Sequence, residues 1–282
     1  MMTKIAWVTD SSVFPSERVK NHPDVHIVPL AIHFDNETYL DEVTITKSEV
    51  YSRLASDKEK AKTSQPPAGE FAKLYEALNE KYDAIISVHL ANELSGTIAS
   101  SRSGAEIAEV DIHLVDSHSL SAGITELLEY GLDLQEQGHS GEEIADALRT
   151  RVKDFENYIL IGSLDQLYRG GRLSSAQFYL GSLLKIKPII HIAPNGKLNE
   201  GEKVRSMKKA KQSLLDKVGA AYAKQPIKRI YLMHGNSEAE AREFEASLKE
   251  VAPTSEIIVG DISTVLAVHA GQGTLATLWY NN

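Results

Sequence analysis

The sequence predicts an α/β protein of two domains, with a mostly parallel sheet flanked by helices in residues 1–155 and a mixed sheet with helices in residues 156–282. In the first half, short apolar runs alternate with amphipathic segments, which is typical of parallel strands joined by helical crossovers. In the second half, Pro194-Asn195-Gly196 indicates a hairpin between adjacent strands, which favours a mixed sheet. A length of 282 residues is enough for two ordinary domains.

The first half reads as strands and helices in turn. Thr46 begins a helix, because Glu49 three positions later completes a capping box. Phe71, Leu74 and Leu78 share one face of the next helix. Strands are predicted at 4–9, 25–34, 84–90 and 112–115, and helices at 46–55, 68–80, 97–108, 120–136 and 141–153.

The second half is predicted to mix hairpins with helices. The boundary between the halves falls near Phe155, after two successive helices, and no long linker separates them. Strands are predicted at 158–164, 188–193, 197–203, 227–233, 255–259 and 273–280, and helices at 175–184, 207–223 and 237–251.

Composition excludes several classes of protein. A net charge of −9 argues against nucleic acid as a partner, because neutralising phosphates requires a basic surface. The absence of cysteine excludes disulfides, thiolate metal sites and a cysteine nucleophile, and it fits a reducing, cytoplasmic location. No run of about 18 apolar residues is present, so no membrane span is expected. The first apolar run is too short for a signal peptide.

The turn after the predicted strand at 84–90 is suited to bind an anion. Leu94-Ser95-Gly96-Thr97 leads straight into a helix, with Ser95 or Thr97 expected as its N-cap. Free backbone N–H groups and the positive end of the helix dipole point into such a turn. Ligands of α/β folds bind at the carboxyl ends of parallel strands, which is where this turn lies.

Three further polar loops are predicted at strand ends, at 9–12, 62–67 and 268–274. Each alone has an ordinary structural explanation as a cap or a turn. Together, the hydroxyls of Thr63 and Ser95 and the imidazole of His269 can converge on one anion. Hydroxyls donate to a carboxylate while remaining neutral, so such a site suits a weak acid that must enter and leave.

Catalysis by Ser95 is the alternative reading of the same residues. A serine nucleophile needs a base and an orienting group, and His269 with Asp10 or Asp116 are candidates. The surrounding Leu94-Ser95-Gly96 does not match the Gly-x-Ser-x-Gly elbow of hydrolases. The ten histidines are scattered along the chain and the phosphate-loop signature is absent, so no metal or nucleotide cofactor is expected.

Basic residues cluster in the second half of this acidic chain. Arg169 and Arg172 flank the glycine pair of 170–171, and arginine binds phosphate or carboxylate through two parallel hydrogen bonds. Lysines and Arg205 follow between 185 and 211. These residues form either a solvated surface or a patch that contacts a phosphate, an anionic lipid surface or an acidic partner.

Two apolar segments, at 120–128 and 178–186, are either core or the walls of a tunnel. If they line a tunnel, the ligand is an amphiphile. Each buried methylene would then contribute ~0.8 kcal/mol, whereas each neutral hydroxyl contributes ~1 kcal/mol net. The apolar tail would therefore supply most of the affinity, and the head group would fix the position of the ligand in the tunnel.

At these residues the chain resembles the DegV family. The matching stretches occur in family order and span almost the whole chain. They are Val8-Thr9-Asp10-Ser11-Ser12, Val28-Pro29-Leu30, Thr63-Ser64-Gln65-Pro66, Leu94-Ser95-Gly96-Thr97, Val115-Asp116-Ser117, Gly170-Gly171-Arg172-Leu173-Ser174, Lys187-Pro188-Ile189, Lys203-Val204-Arg205 and His269-Ala270-Gly271.

The resemblance implies a long-chain fatty acid buried between two domains, with its carboxylate on Thr63, Ser95 and His269. Ser64, Gly96, Thr97 and Gly271 would support these residues from the same loops, and Arg172 and Arg205 would contact a phosphate or a partner. It further implies a non-catalytic subunit of bacterial fatty acid kinase. A separate ATP-dependent kinase subunit would phosphorylate the carboxylate for phospholipid synthesis, with transient contact at a membrane surface. A lipid-sensing regulatory protein without a kinase partner remains a third hypothesis.

Overall fold

The computed structural model describes residues 3–56, 60–172 and 187–281. Its strands are β1 (Ile5–Asp10), β2 (Val25–Val28), β3 (Ala31–Phe34), β4 (Glu37–Leu40), β5 (Ala61–Ser64), β6 (Ala84–His89), β7 (His113–Asp116), β8 (Phe155–Leu160), β9 (Lys187–Ile192), β10 (Leu198–Val204), β11 (Arg229–His234), β12 (Glu256–Asp261) and β13 (Leu275–Tyr280). Its helices are α1 (Glu17–Asn21), α2 (Lys47–Leu54), α3 (Ala68–Asn79), α4 (Thr97–Ala108), α5 (Ala122–Glu136), α6 (Gly141–Arg151), α7 (Leu164–Arg169), α8 (Met207–Lys224), α9 (Glu238–Val251) and α10 (Thr264–Ala270), with a 3₁₀ turn at Val152–Asp154.

These strands form three sheets, and the predicted α/β class is confirmed. A parallel sheet has the order β2-β1-β6-β7, and a mixed sheet has the order β10-β9-β8-β13-β11-β12. In the mixed sheet only the β11–β12 pair is parallel. A small antiparallel sheet, β4-β3-β5, comes from the first half of the chain. The proposed division at residue 155, where β8 begins, stays a prediction.

One apolar core joins the two large sheets. Alternation along β1 sends Ile5 and Trp7 to one face of the parallel sheet and Ala6 and Val8 to the other. The first face belongs to the same core as α5, α6 and one face of the mixed sheet. The second face packs against α3 and α4, while α8 and α9 cover the opposite face of the mixed sheet. The two sheets therefore face each other across a shared interior.

Several predicted elements are confirmed closely. The capping box at Thr46 is present, with its hydroxyl accepting from the backbone N–H of Glu49. Helix α4 has the predicted bounds, and β9 and β10 pair across the predicted hairpin. The helix predicted at 175–184 and the apolar residues at 178–186 lie outside the described residues.

Four local predictions are wrong. The strand expected at 25–34 is two strands in different sheets, because Pro29 has no N–H to donate and interrupts the pairing. The loop expected around Thr63 is strand β5, paired with β3. Only residues 158–160 of the strand expected at 158–164 lie in β8, and Leu164 begins α7. His269 lies on α10, a helix of 7 residues, and not in a loop.

Candidate functional site

A cavity lies between the parallel and mixed sheets, and it contains about 870 Å³ of space not filled by atoms. On one side are the residues that follow the strand ends of the parallel sheet, including Leu90, Leu94 and Leu120. On the other side is one face of the mixed sheet. Sixteen of its 22 lining residues are apolar.

Strand pairing builds the apolar wall of the cavity. Met233, Ala276, Ile159 and Ile190 are direct cross-strand neighbours on β11, β13, β8 and β9. Directly paired residues point to the same face of a sheet, so these four side chains form a continuous apolar row. All four line the cavity. The row therefore gives the cavity one continuous apolar wall.

Three polar side chains from separate elements line this cavity. Thr63 from β5 and His269 from α10 both line it, and Thr63 Oγ1 lies 2.7 Å from His269 Nε2. Ser95, from the turn before α4, lines the same cavity. The three residues predicted to bind one carboxylate are thus brought to one cavity, although 206 positions separate Thr63 from His269.

His269 is neutral at pH 7. Burial, and then the positive charge of Arg172, lower the pKa of its imidazole to about 4. The ring is packed against the backbone of Gly170, where an added Cβ would overlap Nδ1. Nδ1 has no hydrogen-bond partner within the described part of the chain. The Thr63–His269 pair therefore offers uncharged donors to an anion.

Ser95 and its neighbours form the second polar element of the site. Ser95 Oγ lies 2.9 Å from Thr97 Oγ1 and accepts from the backbone N–H of Thr97 at 3.3 Å. The N-cap residue of α4 is Gly96, so the prediction of Ser95 or Thr97 at that position is wrong. Gly96 packs closely against the Gln65 side chain, which joins this turn to the segment that follows β5.

Arg172 supplies the positive charge of the cavity lining. Its Nε donates to the carbonyl of Leu94 at 3.1 Å, and one terminal nitrogen donates to the carbonyl of Gly170 at 2.7 Å. Burial lowers the pKa of this guanidinium below its ordinary value. Its recorded partners are backbone carbonyls, so its charge is not balanced by a carboxylate of the described residues.

The remaining predicted residues lie away from the cavity lining. Ser64 Oγ lies 2.9 Å from His33 Nε2 on the neighbouring strand. Gly271 ends α10 with a φ of 82°, and an added Cβ would overlap Gln166 and Ser163. Arg205 is exposed just beyond β10. The contact of Arg205 with a phosphate or a partner stays a prediction.

Asp10 organises the loops beside the site and does not line the cavity. Its carboxylate lies 2.9 Å from His89 Nδ1 and accepts from the backbone N–H of Leu90 at 3.1 Å. His89 Nε2 lies 2.8 Å from Ser87 Oγ, so Ser87, His89 and Asp10 are hydrogen-bonded in series. All three are 0% exposed. This series resembles a catalytic triad in connectivity, but no substrate can reach it.

The arrangement required for nucleophilic catalysis by Ser95 is not assembled. The recorded hydroxyl contacts of Ser95 are with Thr97, and His269 contacts Thr63. Asp10 is paired with His89, and Asp116 accepts from backbone N–H groups of Asn92 and His118. In the described residues, no groups of three or more histidines, aspartates and glutamates are placed to hold a metal ion.

Sequence reasoning did not single out two other polar residues of the cavity lining, Ser121 and Thr274. Thr274 is fully engaged, since its hydroxyl accepts from the N–H of Gly162 at 3.0 Å and lies 2.9 Å from the carbonyl of Ala270. Ser121 precedes α5 and has an unusual φ of 52°. Nothing in a single sequence signals a positive φ at a serine.

A family model described as "Uncharacterised protein, DegV family" matches residues 4–282. The chain belongs to the DegV family. Protein DegV of Bacillus subtilis is 34% identical over 278 residues, which is 98% of each chain. The resemblance drawn from the sequence motifs is therefore confirmed.

Two solved structures of DegV proteins have the same fold. The crystal structure of DegV from B. subtilis, a fatty acid binding protein, has a TM-score of 0.90 at 33% identity and covers 99% of this chain and 100% of its own. A fatty acid binding DegV family protein from Streptococcus agalactiae has a TM-score of 0.91 at 28% identity and covers 99% of both chains. Within the described ranges, no helix has the length and hydropathy needed to cross a bilayer.

Proposed function

We propose that this DegV protein carries a long-chain fatty acid, with the tail in the cavity and the carboxylate at Thr63, Ser95, His269 and Arg172. The observation that carries the proposal is the cavity itself, whose lining is apolar except for a few hydroxyls, one imidazole and one guanidinium. The fatty acid binding of the DegV relatives from Bacillus and Streptococcus supports the same ligand class.

Affinity would come mainly from the tail. Each methylene removed from water contributes ~0.8 kcal/mol, so a chain of about twelve buried methylenes gives about 10 kcal/mol before the entropy of binding is subtracted. A hydrogen bond from a neutral hydroxyl contributes about 1 kcal/mol net. The polar residues therefore set the position of the carboxylate more than they determine its affinity.

The head group would be held by a directed chain of donors. If His269 Nε2–H donates to Thr63 Oγ1 across their 2.7 Å contact, the Thr63 hydroxyl hydrogen is left to donate to the carboxylate. Ser95 adds a second hydroxyl, and Arg172 balances the negative charge. The carboxylate is thereby oriented without a close ion pair on both oxygens, so one oxygen keeps its nucleophilicity.

We further propose that a separate ATP-dependent kinase subunit phosphorylates the bound acid. One carboxylate oxygen would attack the γ-phosphorus of ATP, and ADP would leave, giving an acyl phosphate for phospholipid synthesis. A carboxylate needs no base for this attack, which fits a site whose imidazole has a pKa of about 4. Arg205 and the lysines near it would meet the kinase or, transiently, a membrane surface, in a cytoplasmic protein.

The binding proposal is tested by extracting gently purified protein with organic solvent and identifying released lipids by mass spectrometry. We expect a long-chain fatty acid in near-stoichiometric amount. After removal of that lipid, stearate should rebind with a 1:1 stoichiometry by calorimetry. Failure of both experiments, with circular dichroism showing a folded protein, would refute the carrier function.

The kinase role is tested separately from binding. A fatty acid kinase subunit, ATP and the lipid-loaded protein should yield an acyl phosphate, trapped as a hydroxamate, and the protein alone should not. An acyl phosphate that never forms, from protein that binds fatty acid, would favour the lipid-sensing alternative. Labelling of Ser95 by a fluorophosphonate probe would favour the hydrolase.

A further inference from the structure

Two buried polar side chains, Ser121 and Asn157, have no hydrogen-bond partner anywhere in the described structure. Ser121 is 1% exposed and lines the cavity, and its Oγ makes no hydrogen bond. Asn157 is 0% exposed, and neither Oδ1 nor Nδ2 makes one. Buried polar groups are nearly always hydrogen-bonded, so three such atoms beside one cavity require an explanation.

The register of the mixed sheet places Asn157 on the cavity face. Asn157 on β8 pairs directly with Leu278 on β13, and Ile159 follows it by two positions. Paired residues, and residues two apart on a strand, share one face of a sheet. Leu278 and Ile159 both line the cavity, so Asn157 lies on the cavity side of the sheet, beside the lining residues although it is not one of them.

The start of α5 covers this part of β8. An added Cβ on Gly123 would overlap the ring of Phe155, so the first turn of α5 packs tightly on β8 two residues from Asn157. Ser121 lies two residues before Gly123. Its backbone has φ 52° and ψ −126°, a conformation that non-glycine residues rarely adopt, and its N–H donates to Ser12 at 3.1 Å. Strained residues of this kind cluster at ligand sites.

The other polar residues of the cavity contrast with Ser121. Thr63, Ser95, Arg172 and Thr274 each have a recorded hydrogen-bond partner. An unsubstituted acyl chain would leave the three atoms of Ser121 and Asn157 unpaired. A hydroxyl on the chain could pair them, since its hydrogen can donate to Asn157 Oδ1 while its oxygen accepts from Asn157 Nδ2 or Ser121.

We infer that Ser121 and Asn157 form a second polar subsite, which selects fatty acids that carry a hydroxyl group away from the carboxylate. This inference rests on the proposed fatty acid binding. The subsite would determine which fatty acids bind. A buried group that hydrogen-bonds a ligand oxygen is left unpaired by an analogue without that oxygen, so the analogue binds more weakly.

Competitive binding to lipid-free protein tests the subsite. Stearate is compared with stearates that carry one hydroxyl at mid-chain or at the terminal carbon. We expect one hydroxystearate to bind about tenfold more tightly than stearate, and we expect Ser121→Ala and Asn157→Leu to abolish that preference while stearate still binds. Thr277→Val is the matched control, because it removes an unpartnered buried hydroxyl from the opposite face of the same sheet.

Stability measurements make the test independent of binding. If Ser121 and Asn157 are unpartnered in the ligand-free protein, Asn157→Leu should melt at the same temperature as wild type or higher, because no hydrogen bond is lost. Equal affinity for every stearate, or a preference that survives both substitutions, would overturn the subsite. The proposed function would still stand if stearate binds, and it fails only if no fatty acid binds.

Discussion

Helix α10 is held between two buried groups whose pKa values are displaced in opposite directions. His269 near its end has a pKa lowered to about 4 by burial and by Arg172. Asp41 is 2% exposed and accepts a hydrogen bond from Thr264 in the first turn of α10. Burial raises the pKa of Asp41 from 3.8 to about 6. Hydrogen bonds from Thr264 and Ser11 lower this pKa, the charge of Glu42 raises it, and the charge of Lys47 lowers it.

These displacements act on stability with opposite signs. Above pH 3.8 the unfolded chain loses the Asp41 proton while the folded chain keeps it, so stability falls as pH rises to about 6. The unfolded chain protonates His269 below pH 6.5 while the folded chain does not, so stability falls as pH drops towards 4. Since one pKa unit equals ~1.4 kcal/mol, each contribution is about 3 kcal/mol. Between pH 4 and 6 the two nearly cancel.

Asp41→Asn removes the titrating carboxyl group, and with it the Asp41 contribution to the pH dependence of stability. The amide oxygen of the asparagine still accepts from Thr264. We expect the free energy of unfolding of the variant, minus that of wild type, to rise by about 3 kcal/mol between pH 4 and pH 6.5. The measurement is urea unfolding of lipid-free protein by circular dichroism at several pH values. Asp111→Asn, which removes an exposed carboxylate, is the control. A difference that stays flat with pH, for Asp41→Asn as for the control, would refute the reasoning.

Three further predictions concern the site. Thr63→Val and Ser95→Ala should lower acyl phosphate formation more than stearate affinity, whereas Thr150→Val on the exposed face of α6 should change neither; equal losses would contradict the division between tail and head. Gly170→Ala should push the His269 ring away from Thr63 and likewise lower acyl phosphate formation more than stearate affinity, and an unchanged His269 resonance in NMR would rule this out. Asp10→Ala should destabilise the fold by about 3–5 kcal/mol, because the buried His89 and the N–H of Leu90 lose their acceptor; a urea midpoint near that of wild type would count against it.

Local signals in the sequence were enough to predict much of the fold. The capping box at Thr46 and the turn at Pro194-Asn195-Gly196 depend on nearby residues alone, and both were predicted correctly. The four residues of β5 and the seven of α10 carry too few positions for a periodic pattern. Their conformation is set by pairing with β3 and by packing against the rest of the fold, which a single sequence does not reveal.

The sequence predicted three of the polar residues that line the cavity, but it did not predict their hydrogen-bond partners. Thr63, Ser95 and His269 were grouped by residue type and by family resemblance, and they line one cavity. Their partners were not predictable. Asp10 pairs with His89 because β1 and β6 are adjacent in the sheet, and Arg172 affects His269 because α7 packs against α10. These contacts join residues that are distant in the sequence, so they are visible only in the folded structure.

The contact between Thr63 and His269 has a consequence for biosynthesis. A ribosome delivers β5 long before α10, so this pair cannot form until translation has advanced 206 positions beyond Thr63. The proposed carboxylate site is therefore complete only after α10 has left the ribosome, and the proposed capture of a fatty acid would follow that step.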